Sequence, residues 1–118
     1  MKNLTDIYEV LKAEGLVSTQ IEFSQRWLGR SAHYMAQVGG NPEKTSITSL
    51  ALLASELRHA ATFAKKHLSD DSFRRIHGAQ VAAATMRNGV YEMRYVPPFY
   101  RVTAASDAWI SKRPDEEE

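Results

Sequence analysis

Leu4, Ile7, Tyr8 and Leu11 recur at steps of three and four, so residues 4–14 read as a helix with one apolar face, ended by Gly15. In the "STQIEF" that follows, Thr19 and Glu22 have the spacing of a capping box, in which each side chain satisfies a backbone amide at the helix start. The second helix is predicted to reach about Leu28, burying Ile21, Phe23 or Ser24, Trp27 and Leu28. Gly29 then suits the left-handed conformation that ends a helix. Ser31 is the expected N-cap of a short third helix over 32–38, with Tyr34, Met35 and Val38 inward, and "GGNP" stops it. The clearest periodicity is Ile47, Leu50, Ala54, Leu57, Ala61, Ala64 and Leu68, which predicts a fourth helix over about 46–68, capped by Thr45 or Ser46.

After the break at "LSDDSF", capped by Ser69 or Asp70, the Ala-rich stretch predicts a fifth helix over 71–87, ended by Asn88-Gly89. A hairpin through that Asn-Gly pair competes with this reading, and the run Ala82-Ala83-Ala84 favours the helix. Beyond Gly89 the period changes. Tyr91, Met93 and Tyr95 alternate with Val90, Glu92 and Arg94, the pattern of a half-buried strand; "PP" interrupts it, and "FYRVTA" resumes as a second extended piece. Two strands alone are marginal in water, so they are expected to pack on the helices, pair with another subunit, or both. The predicted fold is mainly α: a bundle of four to five helices containing a helix-turn-helix, with a small C-terminal two-strand β element. Residues 1–110 form one helical domain, with one turn around Trp109, and 111–118 form a disordered acidic tail.

Composition narrows the chemistry. A length of 118 residues allows one modest core. The absence of cysteine excludes disulfides, thiolate catalysis and Cys-ligated zinc. No run approaches the roughly 20 apolar residues of a membrane span, and the N-terminal "MKNLTDIYEVLKAEG" lacks the apolar core of a signal peptide. A cytoplasmic location is expected. The net charge of +1 hides an asymmetry: the final "DEEE" holds four of the fourteen acids, leaving ten against fifteen Lys and Arg. A mildly basic body with an acidic tail suits an anionic partner, although it also serves plain solubility.

Residues 19–38 have the order helix, glycine turn, short helix. In a helix-turn-helix the second member lies in the major groove with its first residues at base edges. Those residues are Ser31, Ala32, His33 and Gln37 here, with Tyr34 beside them. Arg30 at the turn is within reach of a phosphate or a guanine edge, and Thr19 and Gln20 stand where backbone-phosphate contacts belong.

The stretch "TQIEFSQRWLGRSAHYMAQVGG" resembles the helix-turn-helix of phage-repressor-type regulators, which often read Thr-Gln, an apolar–small pair, then Leu-Gly. The following "SITSLALLASEL" is similar to their next helix, so the likeness covers about residues 16–57. The sequence departs from that pattern at two points. One extra residue separates Ser24 from Gly29, implying a bulge in the helix or a remodelled turn, and Arg30 occupies a usually apolar position. "FSQRWLGRSAHY" also resembles small uncharacterised alphaproteobacterial proteins, a likeness that implies no activity.

Bland readings stand beside these. A helical hairpin with a glycine turn is common in bundles, and Trp27 with Tyr34 would then be a core pair. Arg58, Lys65, Lys66, Arg74 and Arg75 form either a second phosphate-binding stripe or a solvated face. Glu56 and His59 have the Glu-x-x-His spacing of carboxylate-bridged di-iron bundles, but those need the motif twice with further glutamates. His59 and His67 lie ~12 Å apart along a helix, too far to share an ion. No metal site, cofactor, small-molecule substrate or enzymatic activity is expected. Tyr91, Tyr95, Phe99, Tyr100 and Trp109 crowd the last thirty residues and fit either a dimer interface or a strand layer. The sequence therefore points to a homodimeric transcriptional regulator that binds double-stranded DNA, with a non-enzymatic protein-interaction or adaptor module as the alternative.

Overall fold

A computed structural model describes residues 1–97 as an all-helical arrangement. Helix α1 spans Leu4–Ala13 and starts on Asn3, whose side chain accepts from Asp6 N. Its buried face is Leu4, Ile7, Tyr8 and Leu11, as the spacing predicts. Helix α2, Gln20–Glu22, passes directly into a π-helical turn, Phe23–Trp27. Helix α3 is Tyr34–Val38, and a 3₁₀ turn follows at Pro42–Lys44. Two long helices complete the fold: α4, Ile47–His67, and α5, Asp70–Tyr95.

α4 and α5 form an antiparallel hairpin joined by a two-residue link. α4 contributes Leu50, Ala54, Leu57, Ala61 and Ala64; α5 contributes Ile76, Ala79, Ala83 and Val90, with Met86 partly buried in the same series. Both sets step by three and four residues, the spacing of a two-helix seam. Phe23, Leu4, Ile7, Leu11, Leu28 and Leu53 complete the core, and Tyr8 meets Phe23 edge-on with centroids 5.6 Å apart. At the far side of α1, Leu4 N donates to Gly40 O at 2.8 Å. Gly40 has φ +73°, and a Cβ there would fall 2.3 Å from Thr5 Oγ1, so only glycine fits.

Three expectations are corrected. α5 does not end at Asn88-Gly89 but runs through it to Tyr95. The alternating stretch from Val90 is therefore helical, and no strand occurs among the described residues. Tertiary contacts supply the reason. Val90 is buried in the same 3.6-residue series as Ile76, Ala79 and Ala83, and Arg94 Nη2 donates to Glu43 O at 2.5 Å. These contacts offset the ~1 kcal/mol that an interior glycine costs a helix. Secondly, Ile21 and Leu68 are exposed rather than inward: Ile21 lies in the first turn of α2, and Leu68 is already the non-helical cap of α4. Thirdly, Ser31 does not cap α3, which begins two residues later than expected. The second extended piece, the turn around Trp109 and the acidic tail lie outside the described residues.

Candidate functional site

Residues 19–38 wrap around the first half of α4. Thr19 caps α2, accepting from Glu22 N at 3.1 Å, and Glu22 Oε1 reaches back to accept from Ser18 N at 2.8 Å. The capping box is thus present, displaced by one residue on its return arm. The additional residue before Gly29 is absorbed by the π turn, in which Leu28 N donates to Phe23 O across five residues at 3.1 Å. This keeps Phe23, Ser24, Trp27 and Leu28 all facing the core. Arg30 N then donates back to Ser24 O at 2.9 Å, closing the turn. Gly29 takes φ +64°, and a Cβ would lie 2.8 Å from Leu52 Cδ2.

Helix α3 has an unusual start. Its N-cap, His33, makes no side-chain hydrogen bond. The cap comes instead from across the turn: the buried Ser24 hydroxyl accepts from Met35 N at 3.0 Å. One serine of the π turn therefore holds the following turn at Arg30 through its carbonyl and the start of α3 through its side chain.

Arg30 is the centre of the polar face. Its Nε donates to Ser49 Oγ at 2.9 Å, its Nη2 donates to Ser46 Oγ at 2.6 Å, and its guanidinium lies over the Tyr34 ring at 5.5 Å. Ser46 is the N-cap of α4 and accepts from Ser49 N. Ser46 N donates to the Tyr34 hydroxyl at 2.9 Å, and Ser46 Oγ donates to Ser49 Oγ. Arg30, Tyr34, Ser46 and Ser49 thus form one linked cluster at the start of α4. Every partner in it is neutral, and Arg30 remains exposed with donors to spare.

Of the seven sequence-chosen residues six are exposed, and the structure brings Arg30 and Tyr34 together. Thr19, Gln20, Arg30, Ser31, His33 and Gln37 are all exposed, and Tyr34 is half-buried beneath Arg30. Ser46 and Ser49 belong to the same cluster but carry no distinguishing mark in the sequence beyond Ser46's place as a cap. Arg26, on the π turn, is also exposed; its guanidinium lies 5.2 Å from the Trp27 ring centre. Neither Arg26 nor Arg30 has a carboxylate partner among the described residues. The second basic group differs: Arg75 Nε donates to Glu14 Oε2 at 2.5 Å, and Arg74 pairs with Asp71. Glu14 also accepts from Ser72 Oγ at 2.6 Å. The Arg75 hydrogen bond, then that of Ser72, holds its carboxyl below the usual carboxylate range.

No helix among the described residues is long and apolar enough to cross a membrane. No curated protein and no solved structure matches the chain. Residues 4–88, which include α1 to α4 and most of α5, match a sequence family described as a family of unknown function (DUF6626). With well over half its length inside that match, the chain belongs to this family of unknown function.

Proposed function

We propose that the protein is a DNA-binding module of helix-turn-helix type, acting as a homodimer in the control of transcription. The observation that carries this reading is Arg30: an exposed guanidinium held in place by Ser46, Ser49 and Tyr34, with no carboxylate partner among the described residues. A cation fixed by neutral groups has its ordering cost met in advance and keeps its attraction for an anion. In this reading Arg30 contacts a phosphate or a guanine edge, and Tyr34 positions it from below. Thr19 and Gln20 approach the sugar-phosphate backbone at the start of α2. Ser31 and His33 from the turn, and Gln37 from α3, face base edges. Because α3 has only five residues, base contact falls largely to the turn that precedes it.

Fluorescence anisotropy with a labelled pool of random-sequence duplexes tests the proposal. Saturable binding is expected, weakened in Arg30→Ala and in His33→Ala by about 1–3 kcal/mol, the worth of a good base or phosphate contact. Duplex that stays free, or variants that bind like the parent while retaining parental circular dichroism, overturns it.

A second reading, a protein-interaction module, is favoured by exposed apolar side chains on α5. Val81, Tyr91 and Tyr95 are each about half exposed, and the Tyr91 and Tyr95 rings lie 5.4 Å apart, an apolar allotment of the kind that marks contact surfaces. Under this reading Tyr91→Ser with Tyr95→Ser abolishes partner association, and Arg30→Ala does not.

A further inference from the structure

The exposed apolar side chains of α5 belong to a longer pattern. His77, Val81, Ala84, Asn88, Tyr91 and Tyr95 follow one another at steps of four, three, four, three and four. That is the a/d spacing of a heptad repeat, kept over about two and a half heptads. It is separate from the buried series Ile76, Ala79, Ala83 and Val90, which packs in the core. Ala84 is half-buried and the other five are exposed, with Val81, Tyr91 and Tyr95 each more than half so. α5 therefore carries two stripes, one used by its own fold and one left open.

The flanking charges decide what fits the open stripe. With Val81, Asn88 and Tyr95 at a and His77, Ala84 and Tyr91 at d, the g positions hold Gln80, Arg87 and Arg94, and Glu92 is at e. Two copies laid parallel bring the g residue of one against the e residue of the next heptad on the other. Arg87 then meets the partner's Glu92, and symmetry makes the pair twice. Within the chain the Arg87 guanidinium has only a long contact, Nη2 to Asn88 Oδ1 at 3.4 Å, and no carboxylate partner among the described residues. A carboxylate accepts from several donors, so the pair leaves Glu92 its contacts within the chain. The same register sets Asn88 opposite its own copy, where two amides donate and accept reciprocally. A single asparagine at an a position is the device that fixes register and strand number in a coiled coil. Laid antiparallel, Arg87 falls against the partner's Arg87 and Asn88 against the partner's Ala84. That alignment opposes like charges and leaves the amide unmatched.

We propose that this stripe is the interface between two copies of the chain, packed parallel along the second half of α5. It gives the homodimer of the functional reading its contact surface and rests on no residue assigned to DNA. α5 is already a helix within its own hairpin, so association does not have to order it, and a short repeat suffices. The hydrogen bond from Arg94 to Glu43 O ties this half of α5 to the turn just before Ser46. A parallel pair therefore carries both Arg30 clusters at the same end, as two faces meeting one duplex require. Only that last consequence depends on the DNA reading.

Sedimentation equilibrium of the full chain, without DNA, measures the association. A reversible monomer–dimer equilibrium is expected, and Tyr91→Ser with Tyr95→Ser should weaken it about tenfold or more. Arg87→Glu and Glu92→Arg should each weaken it as well, because each turns both cross-pairs into like charges. An equimolar mixture of those two variants restores opposite charges at both pairs and should associate like the parent, a rescue that a merely structural role cannot produce. The chain has no cysteine, so Val81→Cys reports direction. In a parallel pair the two thiols face each other and cross-link; antiparallel packing sets them about 15 Å apart along the axis, beyond disulfide reach. Circular dichroism checks that each variant keeps its fold. A chain that stays monomeric leaves the stripe to a different protein and overturns the proposal. So does a dimer indifferent to the tyrosine substitutions, a mixture that fails to rescue the charge variants, or a Val81→Cys dimer that does not cross-link.

Discussion

Removing one oxygen atom from the buried Ser24 should loosen the whole face that carries Arg30. Ser24 is fully buried, and its hydroxyl is the side-chain cap of α3, accepting from Met35 N at 3.0 Å. Met35 is itself buried, so water cannot take the vacated place without opening the turn. Ser24→Ala leaves no cavity of consequence, since the side chain shrinks by a single oxygen. Its cost is instead that of an unsatisfied buried amide, about 1–3 kcal/mol. For an ordered domain of this size each kcal/mol shifts the melting temperature by ~4–8 °C. The expected drop is therefore roughly 4–24 °C by circular dichroism, with faster hydrogen exchange at the Met35 amide. Ser18→Ala serves as control: Ser18 is exposed and no described contact uses its hydroxyl, so its effect should stay within about 0.5 kcal/mol. If Ser24→Ala is as mild as that control, the cross-turn cap does not hold α3 in place, and the preorganisation argued for Arg30 loses its support.

Two further outcomes test the fold around the site. Gly89 lies inside α5 without positive φ, and nothing stands within 4 Å of a Cβ built there, so Gly89→Ala should stabilise the protein by about 0.5–1 kcal/mol in urea unfolding. A tight turn at Asn88-Gly89 would give the opposite sign, because alanine resists positive φ. Glu14 has its folded pKa held below its ordinary value of 4.5 by Arg75 and Ser72, so its stabilising contribution is complete above that value and is lost as pH falls through the depressed pKa. Glu14→Gln should lower the urea midpoint at pH 7, and the gap from the parent should close in strong acid; a gap that persists or widens there contradicts the linkage.

The sequence was most informative where a local rule sufficed. The apolar steps of α1 and α4, the stop at Gly15, the Thr19–Glu22 box and the Ser46 cap all concern residues within a turn or two of each other, and each is found in the structure. Two of the expectations that failed depended on distant partners. Asn88-Gly89 reads locally as a stop, yet Val90 and Arg94 reach the seam and the Pro42–Lys44 turn and draw the helix onward. Ser31 reads locally as a cap, but Ser24, eleven residues before Met35, takes that role. The surplus residue before Gly29 was visible as an anomaly, and the π turn is one of the two resolutions it allowed. As for the site, the exposed polar residues were chosen from their order along the chain. The coupling of Arg30 to Ser46 and Ser49 was not legible, because it joins segments sixteen and nineteen residues apart.

The most direct test of the DNA-binding reading is the salt dependence of duplex affinity, measured for the parent and for Arg30→Ala side by side. If Arg30 neutralises a phosphate, binding of the parent falls with rising salt, and the slope of log K against log salt is shallower in the variant by about 1. Parallel slopes, or an affinity indifferent to salt, would contradict a guanidinium held ready for nucleic acid.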